Sequence, residues 1–376
     1  MKIVVISASL VPSTAANSIE VMKVAHSLAE IGHDVTLIVP GEQTRKWNEL
    51  AIWYGLTKPF TIIWLKENLA FRRYDFAVKA VNKARKMKAD VVYTWMLQAA
   101  VLSLWQKTPV VLEVHDRITG NLAPTLFKLI LHSKTPKRLL LITMALKLII
   151  ENELKLSLPV DIIQVAPNGI ELERYMSLPS PEAARKLLGL PDGLSVGYSG
   201  HFYAGRGMDI LLTLAKAFPE INFLWIGGTP EAVINWKGRI SSEGIKNVTL
   251  TGFVPNKQIA LYQAACEVLL MPYELAVSGS SGGNSADICS PMKMFEYLAA
   301  GRAIITSDLP VLHEVLNEEN AIFCPAEDPV AWQTALQKLI NDPEKIAMLG
   351  KQARLDAQAY SWKKRAERSL IGLMKP

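Results

Sequence analysis

Cysteine is scarce: Cys266, Cys289 and Cys324 are the only three in 376 residues. They form no CxxC pair and no zinc-type spacing, which excludes a disulfide framework and a thioredoxin-like centre. HExxH is also absent, and the GxSxG string at Gly279–Gly283 sits inside a Gly/Ser run with no apolar strand leading directly into it, so the common zinc-hydrolase and serine-hydrolase routes lack support. No metal site is expected. Cys289 has no sequence-local partner to activate it, and a packing role is expected for it. No run of 18 or more apolar residues occurs, so no membrane span is expected. The N-terminus MKIVVISASL has one positive residue, a short apolar run and no convincing cleavage site. It reads as a buried first strand rather than a signal peptide. A reducing, cytoplasmic setting follows.

What is present is globular. Half the residues are hydrophobic and 20% are charged, and the length exceeds one ordinary core, which predicts two domains. The net charge of +6 is uneven. Residues 1–170 hold 21 Lys/Arg against 13 Asp/Glu, net +8, and the remainder is net −2. Much of the excess lies in Arg72–Lys88 and Lys128–Lys147. A basic half suits an anionic membrane face or an acidic substrate, or is simply a solvated helix face. Aromatic interleaving is weak there, which argues against nucleic acid.

Apolar strand-length runs alternate with helical patterns, and the pattern runs twice. In the first half, strands are predicted at Lys2–Ser9, Asp34–Val39, Asp90–Thr94, Pro109–Val114, Leu139–Thr143 and Ile162–Val165. Helices are predicted at Ile19–Gly32 and Phe76–Lys88. In the second half, strands are predicted at Leu194–Ser199, Asn222–Ile226, Val248–Thr251, Val268–Met271 and Ala303–Thr306. Helices follow at Met208–Phe218, Ile259–Ala265, Lys293–Ala300, Glu327–Asn341 and Glu344–Tyr360. Such alternation is α/β, with two doubly wound Rossmann-like domains. Their expected extents are 1–170 and 171–360, with 361–376 packing back on the first. Ligands in this architecture bind outside the C-terminal ends of strands, and a cleft between domains is the default site.

Two stretches carry chemistry. GYSGHFYAGRGMDILL (Gly197–Leu212) sets a glycine-rich loop between strand and helix. Gly205 lets the backbone approach a ligand and Arg206 offers a two-pronged donor. The loop lacks the Lys and the Ser/Thr of an NTP-hydrolysing phosphate loop. In isolation it is as well read as a tight turn. The second stretch, GGNSADICSPMKMFEYLAAGRAIITSDLP, runs from a Gly/Ser segment (Ser278–Ser285) through Ser290-Pro291 into a helix and a strand. Ser290 reads as an N-cap with Pro291 at the first helical position. Lys293 in the first turn opposes the helix dipole, and a bound anion there would compensate it. Glu296, one turn on, suits ribose hydroxyls or is a solvated helix residue. His115 ends a buried strand in VVLEVHDR, where it faces a ligand or simply caps the strand.

Five blocks in order resemble the retaining glycosyltransferases of family 4. They are IEVMKVAHSLAEIGHDVTLIVP, VAPNGIELERY, GYSGHFYAGRGMDILL, NVTLTGFVPNKQIALYQAACEVLLMPY and SPMKMFEYLAAGRAIITSDLP. The resemblance implies the GT-B fold and sugar transfer from a nucleotide diphosphate, UDP- or GDP-linked, with retained anomeric configuration. It implies no bound metal and no cofactor, the nucleotide sugar being a substrate. Arg206 falls on the family's diphosphate-binding Lys. Lys293 and the amides of Met292–Met294 face the diphosphate or ribose. Glu296 falls on the second Glu of the E-x7-E pair, which holds the ribose. Val254 meets the base through its backbone, and His115 falls at the transfer centre. Three positions depart from the family pattern. Ile288 replaces the first Glu of the pair, with Asp287 beside it. His201 replaces an Arg, and Asn17 stands in the acceptor-side Gly-Gly loop. The implied partners are the donor and a lipid-linked or saccharide acceptor of cell-envelope or exopolysaccharide synthesis. The basic half adds peripheral contact with the inner membrane face. A non-catalytic nucleotide-sugar-binding subunit is the alternative that Ile288 motivates, and an epimerase is a third.

Overall fold

A computed structural model describes residues 1–71, 73–277 and 284–373. The chain divides into two units: residues 1–168 with 362–376, and residues 169–361. Each is built on a parallel sheet of short, nearly continuous apolar strands. Parallel strands covered on both faces need this composition.

Unit 1 has seven strands: β1 Lys2–Ile6, β2 Asp34–Pro40, β3 Thr61–Leu65, β4 Val91–Thr94, β5 Val110–Val114, β6 Lys137–Leu141 and β7 Ile163–Val165. Their order is β3-β2-β1-β4-β5-β6-β7, all parallel. The chain reverses its direction of winding between β1 and β4, which is where such sheets place ligands. The helix Ala16–Glu30 follows β1, and the C-terminal helix Trp362–Ser369 packs against it.

Unit 2 has six: β8 Ser195–Gly200, β9 Asn222–Gly227, β10 Val248–Leu250, β11 Val268–Met271, β12 Ala303–Ser307 and β13 Ile322–Cys324. Their order is β10-β9-β8-β11-β12-β13, again parallel, with the switch between β8 and β11. Its core packs Trp225, Trp332, Tyr198 and Phe223 among aliphatic side chains. The bridge between Ile170 and Ser361 pairs the two segments at which the chain enters and leaves this unit.

Predicted strands lie where expected to within a few residues, except that β3 and β13 went unread. Both are sheet-edge strands, and β13 is only three residues long. The helices Trp47–Tyr54, Leu97–Trp105, Ala123–His132, Met144–Leu154, Pro181–Leu188 and Pro230–Ser242 were also not resolved from the sequence. No helix is long and apolar enough to cross a membrane among the described residues.

Candidate active site

In unit 2 the loop after β8, the turn after β11 and the helix Met292–Ala300 converge at the strand switch. Two cations meet there. The Lys293 ammonium lies 3.9 Å from the Tyr198 ring centre and 5.6 Å from that of Tyr273. Arg206 lies over Tyr203 at 5.1 Å and Tyr273 at 4.9 Å, and donates to the Tyr203 hydroxyl. Neither cation has a carboxylate within ion-pair distance among the described residues. Aromatic faces supply part of the missing negative charge. Burial pulls the Lys293 pKa well down, and the Arg206 charge pulls the same way against weak support from Glu296. Two like charges held this way lack an anion.

The backbone is shaped for close approach. Gly200 has φ +147, and a Cβ there would stand 2.7 Å from the Lys293 ammonium. Gly207 has φ +64, and a Cβ there would overlap the Pro272 carbonyl. Both positions therefore require glycine.

Glu296 is held on a shelf of buried amide and hydroxyls. Gln263, fully buried, donates to Glu296 Oε2 at 3.0 Å and to Ser199 Oγ at 3.1 Å. Tyr175 donates to the Gln263 carbonyl oxygen at 3.1 Å. The carboxylate is thereby fixed in orientation at the second turn of its helix.

Unit 1 holds a second cluster, at the C-terminal ends of β1, β4 and β5. His115 Nε2 lies 2.7 Å from Glu113 Oε2 and 3.2 Å from Glu20 Oε1. Trp95 Nε1 donates to Glu20 Oε1 at 3.3 Å. Arg365 of the C-terminal helix grips both oxygens of Glu113, at 2.7 and 2.8 Å, and the Tyr93 hydroxyl donates to the same carboxylate. Burial opposes ionisation of Glu113, but the charge and hydrogen bonds of Arg365 outweigh it and hold that carboxyl far below its usual range. Burial lifts Glu20 to about 7, with His115 pulling the other way. Burial also works against His115, but Glu20 and Glu113 outweigh it and raise its pKa. Glu20, Glu113 and His115 have ligand atoms within 4.8 Å of one another, close enough to surround a metal ion. The guanidinium occupies both Glu113 oxygens, so the set is already neutralised by a fixed cation.

The profile described as Glycosyltransferase Family 4 matches residues 21–174, and that described as Glycosyl transferases group 1 matches residues 193–342. The chain belongs to the family 4, or group 1, glycosyltransferases. Its two units are those of the GT-B fold. Among solved structures it is similar to Anabaena HepE in complex with UDP, with TM-score 0.74, 16% identity and 98% of each chain covered. Among curated proteins, the phosphatidyl-myo-inositol mannosyltransferase of Mycolicibacterium smegmatis is 24% identical over 91% of this chain and 85% of its own length. A Bacillus subtilis protein named for teichuronic acid biosynthesis is 25% identical over 47% of this chain, which spans only 42% of that relative.

The family positions fall as follows. Arg206, Lys293 and Glu296 gather at one strand switch, while His115 lies in the other unit. Val254 is buried in the loop after β10. Asn17 is exposed in the first turn of its helix, and its carbonyl accepts from Ser9 Oγ at 3.5 Å. Asp287 is exposed, while Ile288 is fully buried. Cys289 hydrogen-bonds weakly to the Ala286 carbonyl, and burial pushes its thiol up to about 12, far from a nucleophile. Positions 278–283 of the Gly/Ser segment lie outside the described residues.

Three details of this candidate site correct the sequence reading. The helix begins at Met292 with Pro291 as its cap, so Ser290 is not the N-cap. Proline's fixed φ serves here just outside the helix instead of within it. The Met294 amide is spent on the Pro291 carbonyl at 3.0 Å, closing the first turn, which leaves Met292 and Lys293 as the amides of that turn without a partner among the described residues. The Gly205 amide donates to Glu274 Oε2 and the Gly207 amide to Glu274 Oε1, both at 3.1 Å. A carboxylate of the chain itself thus fills the loop's amide nest, as an anion does. Sequence reasoning missed Glu274, Gln263, Glu20, Glu113 and Arg365. Only Glu113 left a signal: a charge inside the apolar run VVLEV.

Proposed function

We propose that this chain transfers a sugar from a UDP- or GDP-linked donor to a lipid-linked or saccharide acceptor, with retention and without a metal, in envelope or exopolysaccharide synthesis. The observation that carries this reading is the pair of half-buried cations, Arg206 and Lys293, which face aromatic rings and have no carboxylate within ion-pair distance among the described residues. A diphosphate supplies the missing anion. The same cations stabilise charge building on the departing diphosphate, the task a divalent metal performs elsewhere. Glu296, fixed by Gln263, is oriented to accept from ribose hydroxyls, and the loop holding Val254 takes the base. Unit 2 is then the donor unit and unit 1, with Asn17 and His115, the acceptor side. HepE is described in complex with UDP-glucose, and the mannosyltransferase acts on a lipid, which supports both halves of the reading.

Peripheral contact with an anionic membrane at the cytoplasmic face fits the helix Tyr74–Lys86. Its exposed side carries Lys79, Lys83, Arg85 and Lys86 beside Tyr74 and Val78. Anionic lipid attracts such a face by roughly 1 kcal/mol per basic residue near the surface.

Calorimetric titration with UDP, GDP and their sugars tests the donor assignment. We expect one base to bind, and Glu296→Ala to weaken it at least about tenfold, the loss of roughly one charge-assisted hydrogen bond. Equal affinity in wild type and Glu296→Ala removes the ribose role. The second reading, a non-catalytic nucleotide-sugar-binding subunit, draws on buried, apolar Ile288 at the sugar-contacting position. Donor binding without transfer to any lipid or saccharide acceptor would favour it.

A further inference from the structure

One nitrogen of His115 is committed and the other is not. Nε2 faces Glu113 and Glu20, while Nδ1 has no partner among the described residues, and the side chain is 25% exposed. The group that commits Nε2 depends on a residue 252 positions away. Glu113 and His115 are two residues apart on one strand path, so they share a face. A buried carboxylate there without a counter-ion would take up a proton or rotate toward water. The Arg365 fork prevents both. Its donors are fully used: Nε to the Pro167 carbonyl at 2.9 Å, Nη1 to Glu113 and the Tyr93 hydroxyl, Nη2 to Glu113 and the Ala166 carbonyl at 3.1 Å. The guanidinium therefore ties β4, β5 and the exit of β7 to the C-terminal helix. A planar five-donor group can do this and an ammonium cannot.

We propose that Arg365 is a positioning residue for His115: acting through Glu113, it fixes Nε2 as the tethered nitrogen and leaves Nδ1 as the nitrogen offered to substrate. The functional half of the inference rests on the reading that His115 sits at the transfer centre. Neutral His115 then carries its proton on Nε2 and accepts at Nδ1; protonated, it donates from Nδ1. The charged and titratable groups around the imidazole are Glu20 from the helix Ala16–Glu30, Glu113 on β5, and Arg365, with Tyr93 behind Glu113. The Trp95 ring stands edge-on at 6.4 Å.

The test uses the full chain labelled with 15N in its histidine rings, with His115 assigned by loss of its signals in His115→Ala. The charge-neutral double variant Glu113→Gln/Arg365→Gln removes the tether without leaving a buried charge. Glu113 raises the His115 pKa through both its hydrogen bond and its charge, and Arg365 lowers it by a smaller amount. Removing both therefore lowers the titration midpoint, and the Nε2–H preference weakens to what Glu20, 3.2 Å from Nε2, still supports. Transfer should fall on the order of tenfold or more in kcat, with donor KM within about twofold. Arg365→Lys keeps the charge but not the fork and recovers part of both readouts. A tautomer and midpoint unchanged in the double variant overturn the proposal. If the double variant does not fold, Arg365→Lys decides: a tautomer preference and midpoint identical to wild type after loss of the fork overturn it. A lost tether with unchanged kcat upholds the positioning by Arg365 and removes His115 from the transfer centre.

Discussion

Each unit holds cationic side chains at its strand switch, buried in unit 1 and half-buried in unit 2, and the two settle that charge in opposite ways. In unit 1, Arg365 meets a carboxylate, a phenol and two carbonyls, and nothing on it is left over. In unit 2, Arg206 and Lys293 meet aromatic faces and share the Tyr273 ring, with no carboxylate within ion-pair distance among the described residues. The first arrangement is complete before any ligand arrives. The second is held in a state that an anion relieves. A cation with its own carboxylate is architecture; a half-buried pair without one invites an anionic ligand.

Breaking the complete arrangement should cost most. Glu113→Gln alone leaves Arg365 buried without a counter-charge, and about 3–5 kcal/mol of unit 1 stability should be lost. Urea denaturation followed by hydrogen exchange in each unit will show whether the loss is confined there. A loss below about 1 kcal/mol would mean that the pair is solvated.

The pH dependence of the same cluster comes next. Glu20 titrates at about 7 in the folded chain against 4.5 for a free carboxyl. The folded state therefore holds more protons between those values, and stability falls as pH rises through that window. The raised pKa of His115 acts with the same sign, its contribution being lost as pH climbs through its folded value. The depressed pKa of Glu113 acts oppositely, its contribution being lost as pH drops from about 4.5 toward its folded value. Glu20→Gln should flatten the fall between pH 4.5 and 7, on the order of 3 kcal/mol at most. Thermal melts across that range will read it.

Unit 2 should answer in the other direction. Lys293→Ala should leave the unliganded protein as stable or more so, since one of two neighbouring half-buried like charges is removed. It should weaken UDP or GDP binding by roughly 1.5–3 kcal/mol, the scale of a charge-assisted hydrogen bond. Melting and titration of one sample separate the two effects. Destabilisation of the unliganded state would erase the contrast between the units. The smallest change is Tyr203→Leu, which removes one face under Arg206 and should cost binding about 0.5–1 kcal/mol.

Much of this organisation was legible in the chain. Runs such as KIVVI and VLLM announce buried parallel strands because both faces are covered. Arg206, Lys293 and Glu296 were singled out because loop, helix start and strand follow one another within short stretches, and the fold brings the three to one strand switch. The parts that escaped depend on distance. Gln263 and Glu296 are 33 residues apart, Glu20 and His115 95, and Glu113 and Arg365 252. No local pattern encodes such meetings. Glu274 was hidden differently: its carboxylate serves backbone amides, which carry no residue identity to match. Ser290 misled because Ser-Pro is a good helix start wherever proline enters the first turn, and here the helix waits one residue longer.

The return of residues 362–376 to unit 1 bears on how the protein is made. When the ribosome has delivered all seven strands of the first sheet, Glu113 is in place but its counter-ion is still some two hundred residues away in the message. Unit 2 can close on itself in the meantime, since domains emerging from synthesis fold as units. Unit 1 receives its last structural member only when Arg365 clears the exit tunnel. A nascent chain halted before that point carries a finished second unit and an unfinished first, so emergence of the helix Trp362–Ser369, rather than of the sheet, sets when unit 1 is complete.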